Sequence, residues 1–180
     1  MRVIAGTAGG RRLTGPEGDE TRPMMDRAKE ALFSSLGAVV VDAAVLDLFA
    51  GSGALGIEAL SRGAASATFV EKSKGALRAL RANLETLGLE GRVVGSDVGA
   101  FLARVEPGFD LVFVDPPYRL SLALVEEVLA AAAALLANGG VIVVHRRAGE
   151  PAPAAPDSTP LADDRRYGDT QLWIYRKGRS

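Results

Sequence analysis

The sequence predicts an α/β fold: a mostly parallel sheet with helices packed on both faces. Three observations lead there. Short apolar runs alternate with segments of helical periodicity from Val45 to Val144. One of those runs, Phe109 to Val114, is almost wholly apolar, as a strand buried on both faces must be. The first run, Val45-Leu46-Asp47-Leu48-Phe49, leads into a glycine turn that opens a helix.

The elements follow in order. Arg2 to Ala5 and Arg11 to Leu13 flank Gly6, Gly9 and Gly10 and predict a short N-terminal β-hairpin. Residues 14–22 are turn-rich and polar. Asp26 to Leu36 predicts a helix, with Ala28, Ala31, Leu32 and Leu36 on one face and Gly37 ending it. After the Val45–Phe49 strand, Ala54 to Ser61 is helical and Gly63 stops it. Ala67 to Val70 is a second strand. Ser73 caps an amphipathic helix that runs to Leu87 and ends at Gly88. Arg92 to Val94 is a third strand, Val98 to Val105 a short helix and Phe109 to Val114 a fourth strand. Ser121 to Ala137 is a helix, Asn138-Gly139-Gly140 a turn and Val141 to Val144 a fifth strand. Glu150 to Pro160 carries four prolines and reads as a loop. Gln171 to Tyr175 is a last, antiparallel strand at or near an edge, with Trp173 and Tyr175 as packing residues.

A chain of 180 residues, nearly half of them apolar, suits one domain with a substantial core. There is no cysteine, which excludes disulfides, thiolate zinc sites and cysteine nucleophiles, the covalent cytosine-C5 methylation route among them. A single histidine, His145, excludes a multi-histidine metal site. It ends the fifth strand beside Arg146 and Arg147 and reads as a solvent-facing strand end, with RNA contact as the alternative. The N-terminus has no apolar core of a signal peptide, and no uncharged stretch reads as a membrane span. Net charge is −1, yet residues 1–14 carry Arg2, Arg11 and Arg12 and no acid. Such an arm can grip phosphates, or it can be a solvated hairpin. Arg165 and Arg166 carry the same two readings, and Arg119 can reach a phosphate beside Tyr118.

Gly51-Ser52-Gly53-Ala54-Leu55-Gly56 matches G-x-G-x-x-G in the strand-to-helix setting that the motif requires. Glu71 follows Gly51 by twenty residues, at the end of the next strand, where a carboxylate can accept from both ribose hydroxyls. Charge-assisted bonds of that kind contribute about 1.5–3 kcal/mol each. Asp47, ahead of the glycines, suits a cationic amino-acid moiety better than a pyrophosphate. Asp97 can accept from an adenine amino group or cap the helix at Val98. Together these favour S-adenosylmethionine over NAD. Gly56 is not followed by Lys-Ser/Thr, so this is no P-loop, and Ser52 lacks the setting of a hydrolase nucleophile.

Asp115-Pro116-Pro117-Tyr118 follows the fourth strand directly, at the sheet edge where ligands of open α/β folds sit. Two prolines preset the turn and remove its amide donors, leaving the Asp115 carboxylate and the Pro116 carbonyl as acceptors. An exocyclic base amine is a poor nucleophile because its lone pair is delocalised into the ring. Two acceptors on its N–H bonds favour a pyramidal nitrogen and stabilise the charge that forms as the methyl is transferred. Tyr118 offers a flat face for an extruded base, worth roughly 1–3 kcal/mol.

Val45 to Gly56, Glu71, Asp97 and Asp115 to Tyr118, in that order, resemble the successive motifs of class I amino-methyltransferases. Four further stretches make the chain similar to the RsmD family of 16S rRNA guanine-N2 methyltransferases. They are Ile4-Ala5-Gly6 to Gly10-Arg11-Arg12-Leu13; Arg22-Pro23 with Asp26-Arg27 and Glu30-Ala31-Leu32-Phe33; Leu60-Ser61-Arg62-Gly63-Ala64; and Tyr167-Gly168-Asp169-Thr170. The resemblance spans nearly the whole chain. It implies a Rossmann-like sheet of seven strands in a single domain over residues 1–180, with residues 1–22 an RNA-contacting extension and 23–180 the cofactor-binding core. It implies S-adenosylmethionine as cofactor, 16S rRNA in the assembling small subunit as substrate, a monomer, and a cytoplasmic location. Asp115, Pro116 and Tyr118 are then the catalytic candidates. Asp47, Phe49, Gly51, Gly53, Glu71, Asp97, Asp26 and Arg22 would hold the cofactor, and Arg2, Arg11, Arg12, Pro117 and Arg119 the RNA. Met24 and Met25 stand where the family usually has hydroxyl residues. Two other functions fit parts of the pattern: adenine-N6 methylation, and RNA binding over a relic cofactor pocket. Tyr118 to Asn138 leaves no room for the target-reading domain that DNA enzymes of the first kind usually carry.

Overall fold

The computed structural model describes residues 1–15 and 26–179. The expectations for Arg22, Pro23, Met24 and Met25 lie outside the described residues. Among those described, seven strands form one sheet: β1 (Ala44–Leu48), β2 (Ser66–Glu71), β3 (Arg92–Gly95), β4 (Phe109–Val114), β5 (Leu136–Arg147), β6 (Leu161–Tyr167) and β7 (Thr170–Arg176). Their order is β3-β2-β1-β4-β5-β7-β6. β1 to β5 pair in parallel, and β7 is antiparallel to both its neighbours.

Period-two alternation divides the core between the two faces. Val45, Leu111, Phe113, Val141 and Leu172 point to one side, where α1 (Asp26–Leu36), α2 (Ala54–Ser61) and α3 (Lys74–Leu87) pack with Leu32, Phe33, Ile57 and Leu80. Leu46, Val112, Val114, Ile142 and Trp173 point to the other, against α4 (Val98–Leu102) and α5 (Leu122–Leu135) through Phe101 and Leu129. Helix starts follow the expected chemistry: Ser73, Asp97 and Ser121 each accept from backbone N–H groups of the first turn. No helix among the described residues is long and apolar enough to cross a membrane.

The structure differs from the sequence reading in two of these strands. β6 was not foreseen, because Leu-Ala-Asp-Asp-Arg-Arg-Tyr shows no apolar alternation. It is the edge strand, and charge on an edge blocks further pairing. β7, expected as an antiparallel strand at or near an edge, lies one strand in from it. β5 starts at Leu136 and runs through Asn138-Gly139-Gly140, which the sequence suggested as a turn; the register against β4 shifts there, between Phe109 and Leu111.

The N-terminal segment is a corner of the core rather than an arm. Arg2 and Arg12 pair as a single antiparallel bridge, and Val3, Ala8 and Leu13 are buried. Glu58 of α2, itself fully buried, accepts from Ile4 N and Ala5 N at 2.7 and 3.1 Å and pairs with the buried Lys29 Nζ at 3.3 Å. Desolvation, outweighing the pull of Glu58, lowers the Lys29 pKa. Ser61 accepts from Ala8 N and donates to Ala5 O. Gly6, at φ +84°, lies so close over the Ser61 carbonyl that any Cβ would collide with it.

Candidate active site

The carboxyl ends of β1, β2, β3 and β4 bring the sequence-predicted groups to one edge. After β1, Phe49 and Gly51 turn at φ +59° and +56°, and Gly53 at +87° leads into α2. Positive φ at a bulky non-glycine residue is strained, a feature concentrated at functional turns. A Cβ on Gly53 would strike Leu80, whereas above Gly51 the space is open. Glu71 ties the turn down: Oε2 accepts from Gly51 N at 3.0 Å, and Oε1 from Lys72 N and Ser73 N at 2.8 and 2.7 Å. Asp97 caps α4 through Oδ1, and its exposed Oδ2 stands 3.7 Å from Lys72 Nζ.

Asp47 is placed differently from expectation. Its carboxyl is buried beneath the turn and Oδ2 accepts from Gly56 N at 2.9 Å, so its observed partner is the loop backbone. Burial, only partly offset by that bond and reinforced by the charges of Asp115 and Glu71, holds its pKa well above the ordinary value.

Asp115 opens the proline turn after β4, and its N–H reaches Leu48 O of β1 at 3.4 Å. The turn is thus stitched to the strand that feeds the glycines. The sequence did not reveal what holds it from the other side. His145, expected at a solvent-facing strand end, is 3% exposed, and its Nδ1 lies 2.6 Å from Asp115 Oδ1. Burial pushes its pKa down, but the charge and hydrogen bond of Asp115 outweigh that and raise it above 6.5. Arg146, also buried, donates to the carbonyls of Pro117, Tyr118 and Leu120 at 3.2, 3.4 and 2.9 Å and to Glu150 at 2.8 Å. The Arg147 guanidinium sits 5.4 Å from the Tyr118 ring centroid. Tyr118 is exposed, edge-on to His145; desolvation and then the nearby Asp115 charge raise its pKa, so it stays a neutral phenol. Among the described residues Asp115 Oδ2 and the Pro116 carbonyl accept no hydrogen bond.

Arg119 is exposed beside Tyr118. Arg2 pairs with Asp26 at 3.0 Å, so the partner of Asp26 is the hairpin, and Arg12 is exposed. Arg11 donates to Thr86 O near the end of α3. Asn83 was missed: buried in α3, it donates to Ser52 O of the glycine turn and to Thr14 O. A polar residue on the apolar stripe of an amphipathic helix was the available signal. A cavity of about 270 Å³ lined by Asp42, Asp110, Gly139 and Arg176 lies at the amino ends of the strands, away from these groups.

Strand order, the inserted antiparallel β7 and the glycine turn after β1 define a class I, Rossmann-like methyltransferase fold. The chain belongs to the RsmD family: residues 1–176 match the family model described as Conserved hypothetical protein 95. It is 48% identical over 123 residues to ribosomal RNA small subunit methyltransferase D of Escherichia coli K12, covering 68% of this chain and 62% of that protein. It is 44% identical over 124 residues to the putative rRNA methyltransferase YlbH of Bacillus subtilis, covering 66% and 67%. Across these two relatives the alignment thus spans about two thirds of their length. The solved structure of the putative methyltransferase yhhF from Escherichia coli superposes with a TM-score of 0.88 at 39% identity, over 100% of this chain and 99% of that one.

Proposed function

We propose that this protein methylates the N2 amine of a guanine in 16S rRNA, of the position-966 type, using S-adenosylmethionine and acting as a monomer on the assembling small subunit in the cytoplasm. The carrying observation is the stitched edge: Asp115 Oδ2 and the Pro116 carbonyl, two acceptors with no donor among the described residues, on a turn hydrogen-bonded to the end of β1. The names of the relatives support rRNA as substrate.

The residues present fit the cofactor. Open space over Gly51, the Glu71 carboxylate beside it and the Oδ2 of Asp97, 3.7 Å from Lys72 Nζ, offer acceptors to a nucleoside, with Phe49 alongside. Gly53 lets the turn press onto Leu80, and Asp47 holds the turn from below. S-adenosylmethionine held there would supply a sulfonium-activated methyl for the amine nitrogen, the carbon–sulfur electron pair going to sulfur. Asp115 Oδ2 and Pro116 O accept from the two N–H bonds of the amine and stabilise the positive nitrogen, which then gives up one proton to water. Tyr118 stacks on the flipped base, and Pro117 and Arg119 flank it. Arg2, Arg11 and Arg12 remain the candidates for phosphate contact in the N-terminal region, with Arg11 also donating to Thr86 O. Residues 1–22 and 23–180 then serve as one domain.

The test is transfer of labelled methyl from S-adenosylmethionine to small subunits lacking the modification, with the product mapped by mass spectrometry. Methyl on a guanine N2 of 16S rRNA supports the reading; methyl on adenine N6, or cofactor binding without transfer, overturns it.

A further inference from the structure

We propose that His145 is a positioning residue for methyl transfer: its Nδ1–H holds Asp115 Oδ1, leaves Oδ2 for the target amine, and its charge state sets how well that carboxylate stabilises the positive nitrogen. The inference rests on the base-methylation reading above and assigns a residue that reading does not use.

The contact is short, 2.6 Å, and the imidazole is nearly sealed from solvent at 3% exposure. A carboxylate offers only acceptors, so the histidine must present a hydrogen at Nδ1 in either charge state. The far nitrogen, Nε2, is buried and has no hydrogen-bond partner among the described residues. A bare lone pair is tolerated there at lower cost than a charged N–H, so the neutral Nδ1–H tautomer suits the pocket. The carboxylate draws the ring towards the imidazolium instead, which is the raised pKa already described. The site therefore holds a group poised between two states.

The groups around it are few. Asp115 and Tyr118 face it from the turn after β4, and Arg146 adjoins it on β5. Arg147 and Glu150 lie beyond Tyr118, Asp47 lies behind Asp115, and its partner on β7 is the apolar Leu172. When the ring is an imidazolium, its full charge offsets the Asp115 carboxylate and weakens stabilisation of the cationic nitrogen. When it is neutral, the carboxylate charge is undiminished. Transfer should thus rise as pH climbs through the His145 pKa, above 6.5.

The experiment measures kcat and KM against pH for the full chain, with labelled S-adenosylmethionine and small subunits lacking the modification. His145→Asn places an amide N–H near the Nδ1 position but cannot titrate; His145→Leu removes the donor. The expected result is a kcat for His145→Leu lowered about 10- to 100-fold, with KM for the cofactor unchanged. His145→Asn should recover most of that loss at the high-pH plateau and show no inflection above 6.5, where the wild type does. The profile is read relative to each variant's own plateau, so a poorly folded His145→Leu does not decide the outcome. Inactive Asp115→Ala together with a wild-type pH profile in His145→Asn overturns the role of His145 alone. Full transfer by Asp115→Ala, which leaves no side-chain acceptor, overturns the base-methylation reading and this inference with it.

Discussion

The glycine turn and the proline turn share one edge but are held in different ways. The glycine turn is secured by its own neighbourhood: Asp47 and Glu71 accept from Gly56 and Gly51, nine and twenty residues away. The proline turn has few amides of its own and is clasped from β5, where His145, Arg146 and Arg147 hold the Asp115 carboxylate, three carbonyls and the Tyr118 ring. A turn that must keep its acceptors free for a substrate cannot satisfy itself internally, so its order is supplied by a neighbouring strand. The contrast separates the two halves of the reaction: one turn should govern cofactor affinity, the other the transfer step.

Four measurements would sharpen or break that division. Asp115→Ala should lower single-turnover transfer roughly 10²–10³-fold and leave S-adenosylmethionine affinity by calorimetry unchanged. Equal loss of both would place Asp115 in cofactor binding instead. Arg146→Ala removes the donor from three carbonyls and leaves Glu150 unpaired. It should cut kcat about tenfold or more at saturating cofactor, again with intact affinity. Glu71→Gln should act in the opposite sense, weakening cofactor binding by about 1.5–3 kcal/mol, roughly ten- to a hundredfold, with kcat at saturation preserved. A kcat defect at saturation would merge the two regions.

The smallest effect concerns stability. The folded Asp47 carboxyl has a raised pKa, so its contribution to stability is complete below 3.8 and is lost as pH rises through the folded value. Asp47→Asn keeps an acceptor for Gly56 N without the buried charge. Its thermal midpoint should therefore exceed that of the wild type near neutral pH, and the gap should close on acidification. A gap independent of pH would mean that the buried charge is not the cause.

The legible parts were those written in contiguous residues. The parallel strands β1 to β4, the caps at Ser73 and Asp97, the glycine turn with Glu71 and the proline turn could all be read because pattern and partner lie within about twenty residues. The clasp could not: His145 and Asp115 are thirty positions apart, and only the β4–β5 register makes them neighbours. A histidine flanked by arginines at a strand end looks solvated until the turn beside it is known. β6 was hidden because an edge strand need not be apolar. Asp47 was read as facing a ligand because sequence gives the strand, not the depth of a side chain within it.

The seat of the first thirteen residues has a consequence for synthesis. Ile4 and Ala5 meet Glu58 across 54 and 53 positions, and Ala8 meets Ser61 across 53. These residues therefore find no place on the ribosome until α2 has followed them out. At roughly 5–20 residues per second, Val3, Ala8 and Leu13 spend several seconds uncovered. That interval, rather than anything in the finished molecule, is when this protein is most open to a chaperone or to sticking to another nascent chain.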